Sequence, residues 1–104
     1  MAKLVVLYPQ PTDGAQFEKL YAEEHVPLCQ EKLKGMKLAV THIKASAAGD
    51  PPYHLMAEVW APSIEALQGF LSTPDGQEVA GHAFRISTGG PPAVLFTEED
   101  VHQF

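Results

Sequence analysis

Cysteine is almost missing from this chain: Cys29 stands alone among 104 residues. A single thiol excludes an intramolecular disulfide, and a reducing compartment follows as the expectation. Basic residues are scarce as well. Seven Lys and Arg stand against thirteen Asp and Glu, for a net charge of −6. That balance argues against nucleic acid, whose phosphate backbone needs a basic face. The densest basic group, Lys32, Lys34 and Lys37, reads as the solvated end of a helix, where cations complement the helix dipole. Long apolar runs are missing too. Nothing approaches the ~20 residues of a membrane span. Met1–Leu4 runs straight into a short apolar segment that Tyr8-Pro9 ends, too short for a signal h-region and with no cleavage site after it. A soluble cytoplasmic protein is the expectation, with no membrane partner. The five histidines, at 25, 42, 54, 82 and 102, show no close pair and no zinc-motif spacing, so no metal site is expected. No other cofactor is expected, although a single axial histidine to haem would need no spacing.

What is present suits one globular domain over residues 1–104. Apolar residues make up 45% of the chain, enough buried surface to offset chain entropy. Lys3–Tyr8 is a run of β-formers without polar alternation, which predicts a strand buried on both faces. Thr12 or Asp13 caps a helix carrying Phe17, Leu20, Tyr21, Glu24 and Leu28 on one stripe, ended by Lys34-Gly35. Met36–Ala45 predicts a second strand, and Tyr53–Trp60 a third. In the third, Tyr53, Leu55, Ala57 and Val59 make one face, while His54, Met56, Glu58 and Trp60 make the other. Ser63 caps a further helix with Ile64, Leu67, Phe70 and Leu71. Thr73-Pro74 restarts it, with Val79 and Ala83 on the apolar side and His82 beside them. Gly89-Gly90-Pro91-Pro92 breaks the chain before a last strand, Ala93–Thr97, and no helix follows that could make the glycines a phosphate loop.

The order β-α-β-β-α-β predicts an α+β, ferredoxin-like fold: a four-stranded antiparallel sheet with its helices on one face. The other face must be polar or must meet something. Here it carries apolar residues of the first strand together with Met56 and Trp60, and such a patch marks an interface or a binding site. A homodimer closing two sheets face to face is the expectation. The alternative is a monomer whose open face is a ligand cleft.

The first helix holds the most informative group. Tyr21 and His25 are four apart and share a side, with Phe17 one turn earlier. Pro27 has no N–H and clashes with the carbonyl of Glu23, so the helix should kink or restart near His25 and turn its imidazole off the regular surface. Imidazole suits proton transfer near neutral pH. On spacing alone, however, Tyr21 can be plain core edge and His25 a structural residue bonded to a carbonyl.

The stretch Phe17-Glu18-Lys19-Leu20-Tyr21-Ala22-Glu23-Glu24-His25-Val26-Pro27-Leu28 resembles the signature of the EthD family. So do the opening, Lys3–Pro9, and the stretches Tyr53–Trp60 and Ser63–Gln77. Members often carry a polar residue, frequently histidine, where this chain has Leu20. The resemblance implies a dimeric α/β barrel and an association with ethyl tert-butyl ether degradation, a pathway that uses a cytochrome P450 monooxygenase. Relatives with that barrel include cofactor-free monooxygenases, isomerases and decarboxylases, and haem-handling proteins; fold alone does not choose among them.

Together these readings predict a small dimeric protein acting on an apolar organic ligand. His25 is the candidate acid, base or orienting donor, with Tyr21 or Tyr8 as hydrogen-bond donor. His54, Glu58 and Trp60, with His42 as a further inward candidate, would line the chamber if the Met56 face is its wall. Glu24, inside the stripe by angle, is either a desolvated acid–base group or is turned to solvent by the Pro27 kink. Cys29 reads as a buried inert thiol. The alternatives are a non-catalytic binding or accessory protein for a hydrophobic intermediate or a P450 system, a haem-binding barrel, and a structural dimer. An open cavity between the sheet and the first helix that touches His25 favours the enzyme and binding readings; a solid interior favours the structural dimer.

Overall fold

A computed structural model describes residues 1–104. Strand β1, Ala2–Pro9, lies in the interior of the sheet between β3 (Tyr53–Ala61) and β4 (Ala93–Glu98), with β2 (Lys37–His42) beyond β3. All three pairings are antiparallel, in the order β2-β3-β1-β4. The central place of β1 explains its lack of alternation, since both faces of an inner strand are covered or half-covered. Leu4, Val6 and Tyr8 face Val59, Ala57 and Leu55 on the helix side. Lys3, Val5 and Leu7 face Trp60, Glu58 and Met56 on the side without helices.

The helices begin where side-chain oxygens can take up free N–H groups. Asp13 accepts from Gln16 N at 3.0 Å to start α1, Gly14–Leu20. Ser63 Oγ accepts from Ala66 N at 3.1 Å to start α3, Ile64–Leu71, and Thr73 Oγ1 from Gly76 N at 3.0 Å to start α4, Pro74–Ile86. The tight α3–α4 joint explains Gly76: a Cβ there would overlap the Phe70 carbonyl. Gly35, at φ 79°, supplies the left-handed turn after α2, Val26–Lys32.

Between α1 and α2 the chain makes one π-helical turn, Tyr21–His25, in which the Val26 N–H bonds the Tyr21 carbonyl five residues back. This is the interruption predicted from Pro27, which sits near the start of α2. It also changes the buried stripe. The buried residues here are Phe17, Tyr21, His25, Cys29 and Leu33, a strict spacing of four. In a 3.6-residue helix that spacing drifts by ~40° per step and would leave the core within a few turns. The wider π turn unwinds the helix and absorbs the drift. The predicted stripe through Glu24 and Leu28 assumed a regular helix; Glu24 is instead exposed and Leu28 only half-buried.

Two further expectations are corrected. The second strand is shorter than Met36–Ala45, because the paired register ends at His42 opposite Leu55. His54 does not share a face with Glu58. The β1–β3 register steps over it, with Leu55 opposite Tyr8 and Tyr53 opposite Pro9. Such an irregularity re-aims a side chain. The His54 ring packs edge-on against Phe17 at 5.4 Å, and its Nε2 lies 2.8 Å from Glu18 Oε1 on α1.

Candidate functional site

The sheet and helices do not close completely on each other. They leave a cavity of about 340 Å³, within the range of small-molecule pockets. Eighteen of its nineteen lining residues are hydrophobic, and His25 is the exception. The sheet contributes Leu4, Val6 and Tyr8 from β1 and Ala57 and Val59 from β3, the helix-side residues of both strands. The chamber therefore lies behind the face opposite Met56. Glu58 and Trp60 sit on the other side: Glu58 pairs with Lys3 at 2.7 Å, and Lys3 and Lys37 flank the Trp60 ring at 5.5 and 4.8 Å. His42 and His54 do not line the chamber either. Both converge on one oxygen, Glu18 Oε1, at 3.4 and 2.8 Å. Of the residues singled out from sequence, the structure gathers Tyr8, Tyr21 and His25 at the cavity and places His42, His54, Glu58 and Trp60 elsewhere.

The three gathered side chains form an aromatic column. The Tyr8 and Tyr21 rings meet edge-on at 5.6 Å, and the Tyr21 and His25 rings lie tilted to each other by 41° at 5.0 Å. Both residues arise from the π turn, Tyr21 at its first position and His25 at its last. The Tyr21 hydroxyl is fully buried and makes no hydrogen bond of good geometry within the protein, although the Tyr8 hydroxyl neighbours it. A buried polar group in that condition costs free energy unless something supplies a partner. Burial, with the neighbouring Cys29, pushes the Tyr21 hydroxyl well above the usual tyrosine range, so it stays an O–H donor. Burial does the same to Tyr8. Cys29 is buried, as expected from the sequence, and burial pushes it up to about 11, so it remains a thiol.

His25 is 4% exposed, and its pKa falls to about 4 through burial first and the neighbouring His82 second. It is neutral at pH 7, so one ring nitrogen carries a proton and the other a lone pair. Its Nδ1 lies 2.8 Å from His82 Nδ1, with the two rings edge to edge and nearly parallel at an interplanar angle of 8°. Nε2 has no protein partner. His82 comes from α4 and contacts Glu24 Oε1 through its own Nε2 at 3.4 Å. Sequence reasoning noted His82 beside Val79 and Ala83 without giving it a role. The available signal was a histidine at the border of an amphipathic helix, which alone names no partner.

No group of three or more His, Cys, Asp or Glu is placed to hold a metal ion. Haem does not suit the chamber: its two carboxylates need polar or basic partners, and no Lys or Arg lines the cavity.

A four-stranded antiparallel sheet with its helices on one face, enclosing an apolar chamber with one imidazole, defines an α+β protein of the ferredoxin-like class. The EthD domain model matches residues 9–83, and the chain belongs to the EthD family. It is 32% identical to an EthD family protein of Bacillus halodurans C-125, covering 96% of this chain and 99% of that one with a TM-score of 0.85. It is 31% identical over 101 residues to an uncharacterised 11.0 kDa protein of the thcB–thcC intergenic region of Rhodococcus erythropolis, covering 96% of each. A dimeric ferredoxin-like protein of unknown function from Jannaschia sp. CCS1 shares the fold at 15% identity, with a TM-score of 0.68 over 94% of this chain and 98% of that one. No helix is long and apolar enough to cross a membrane.

Proposed function

We propose that this chain is a cofactor-free acid–base enzyme acting on a small, mostly apolar organic molecule with one oxygen-bearing group. His25 is the catalytic acid or base, Tyr21 the donor to the substrate oxygen, and Tyr8 a second hydroxyl beside it. One observation carries the reading: a lone imidazole lines an otherwise apolar cavity, and Tyr21, whose hydroxyl is buried without a good hydrogen bond, forms part of its wall. The ether-degradation association of the family agrees with such a ligand. A purely structural dimer would need no cavity.

The active form is a homodimer in the cytoplasm, joined through the sheet face that carries Val5, Leu7, Met56 and Leu95. Apolar residues there and the Jannaschia protein's description as dimeric support this. Sedimentation at micromolar concentration is expected to give a dimer; a clean monomer removes this half of the reading.

The site is tested with two probes of matched size, cyclohexanone and methylcyclohexane, followed by NMR. Cyclohexanone is expected to bind more tightly and to shift the Tyr21 and His25 signals. Ala83→Leu, which fills the chamber, is expected to weaken binding at least tenfold. Equal affinity for both probes, or binding that Ala83→Leu leaves intact, would sink the proposal. Affinity without any proton transfer would make the protein a carrier and overturn the enzymatic half.

A further inference from the structure

His25, His82 and Glu24 form a continuous chain from the chamber to solvent. His25 lines the cavity, His82 Nδ1 lies 2.8 Å from His25 Nδ1, and Glu24 Oε1 lies 3.4 Å from His82 Nε2. The Glu24 side chain is 58% exposed, so its carboxylate exchanges protons with water directly. The three groups come from the π turn and from α4, and their order is imposed by packing.

The carboxylate end dictates the tautomers. An ionised Glu24 can only accept, so His82 places its proton on Nε2. His82 Nδ1 is then a lone pair and accepts from His25 Nδ1–H. The neutral His25 ring has no second proton, and its Nε2 is left as a lone pair at the cavity. Without Glu24 and His82 nothing distinguishes the two nitrogens, and the proton can sit on Nε2, which makes His25 a donor.

We propose that Glu24 and His82 are positioning residues of a proton relay that holds His25 Nε2 as a base, and that the substrate is an apolar carbonyl compound with a C–H next to its carbonyl. This rests on the acid–base reading of the site. In the step, the C–H bond breaks and its electron pair forms the C=C bond, while the carbonyl oxygen takes the charge and accepts from Tyr21 O–H. The proton bonds to His25 Nε2. His25 Nδ1–H passes to His82 Nδ1, and His82 Nε2–H passes to Glu24, which releases it to water. Reversal returns a proton to carbon, giving exchange or isomerisation with no oxidant or reductant.

The tautomer is read on ¹⁵N-labelled full-length protein at pH 7 without ligand. Wild type is expected to carry the His25 proton on Nδ1. His82→Phe, which keeps a planar ring but has no nitrogen, is expected to move it to Nε2, and Glu24→Ala to give a mixture of forms. A wild-type proton on Nε2 overturns the relay, while cyclohexanone binding would leave the pocket itself standing. Exchange of the cyclohexanone α-hydrogens in D₂O supplies the second readout. Wild type is expected to accelerate it over buffer, and His82→Phe to lose at least tenfold with affinity unchanged. Exchange as fast in His82→Phe as in wild type also overturns the relay. A fixed tautomer without exchange overturns the carbonyl substrate and the acid–base reading beneath it.

Discussion

The molecule contains two clusters made from the same parts, each with two histidines and one glutamate. In one, His25, His82 and Glu24 are linked in series from the apolar cavity to the surface. In the other, His42 and His54 both meet the same oxygen of Glu18 at the rim of the sheet. A series arrangement can move a proton from one end to the other. A parallel one has no direction and serves as a clasp between α1 and the β2–β3 edge. Burial widens the contrast. His25 is almost sealed and is held neutral at pH 7, whereas the His42 side chain is 47% exposed and Glu18 41%. Identical residue types thus acquire different chemistry from connectivity and solvent access.

The largest effect separating the clusters is in the pH dependence of stability. The His25 pKa is about 4 in the folded chain against 6.5 for the free group. The unfolded state therefore binds more protons between these values, and stability is full above pH 6.5 and lost as the pH falls toward 4. A shift of this size corresponds to about 3 kcal/mol. Denaturant unfolding from pH 7 to pH 4 should show that loss in wild type and a flatter profile in His25→Gln. A His25→Gln profile as steep as wild type would erase the distinction between the two clusters.

A smaller effect is expected at Tyr21, and in an unusual direction. Its hydroxyl is buried without a good hydrogen bond, so Tyr21→Phe should stabilise the ligand-free protein by roughly 1 kcal/mol. The same change should weaken cyclohexanone binding several-fold while sparing methylcyclohexane. A destabilised variant would mean that the hydroxyl is already satisfied. The smallest effect belongs to the rim. Glu18→Gln should cost no more than about 0.5 kcal/mol, because a partly exposed side-chain hydrogen bond contributes little. A loss above ~2 kcal/mol there would show that the clasp is structurally dominant.

Much of the fold could be read locally. Asp13, Ser63 and Thr73 are short polar side chains in front of apolar periodicity, and each caps a helix. The third strand's alternation separates Leu55, Ala57 and Val59 from Met56, Glu58 and Trp60 correctly. At His54 it fails, because an irregular register changes side-chain direction without any change in composition. Pro27 announced the helix interruption, yet a proline does not say how the helix will adapt. The π turn was legible only afterwards, in the four-residue spacing from Phe17 to Leu33.

The amino-acid sequence by itself determined the order of elements, their caps, the buried side of most strands, and a histidine beside a helix break. These follow from local sterics, periodicity and hydrogen-bond accounting within a few residues. Only the tertiary structure decided that the layers leave a chamber, that Tyr8, Tyr21 and His25 meet there, and that Glu58 and Trp60 do not. It alone joined His25 to His82, 57 positions away. The reason is physical: a cavity is the small volume left between two packed layers, and a contact between distant elements depends on how those layers seat. No local pattern encodes either one.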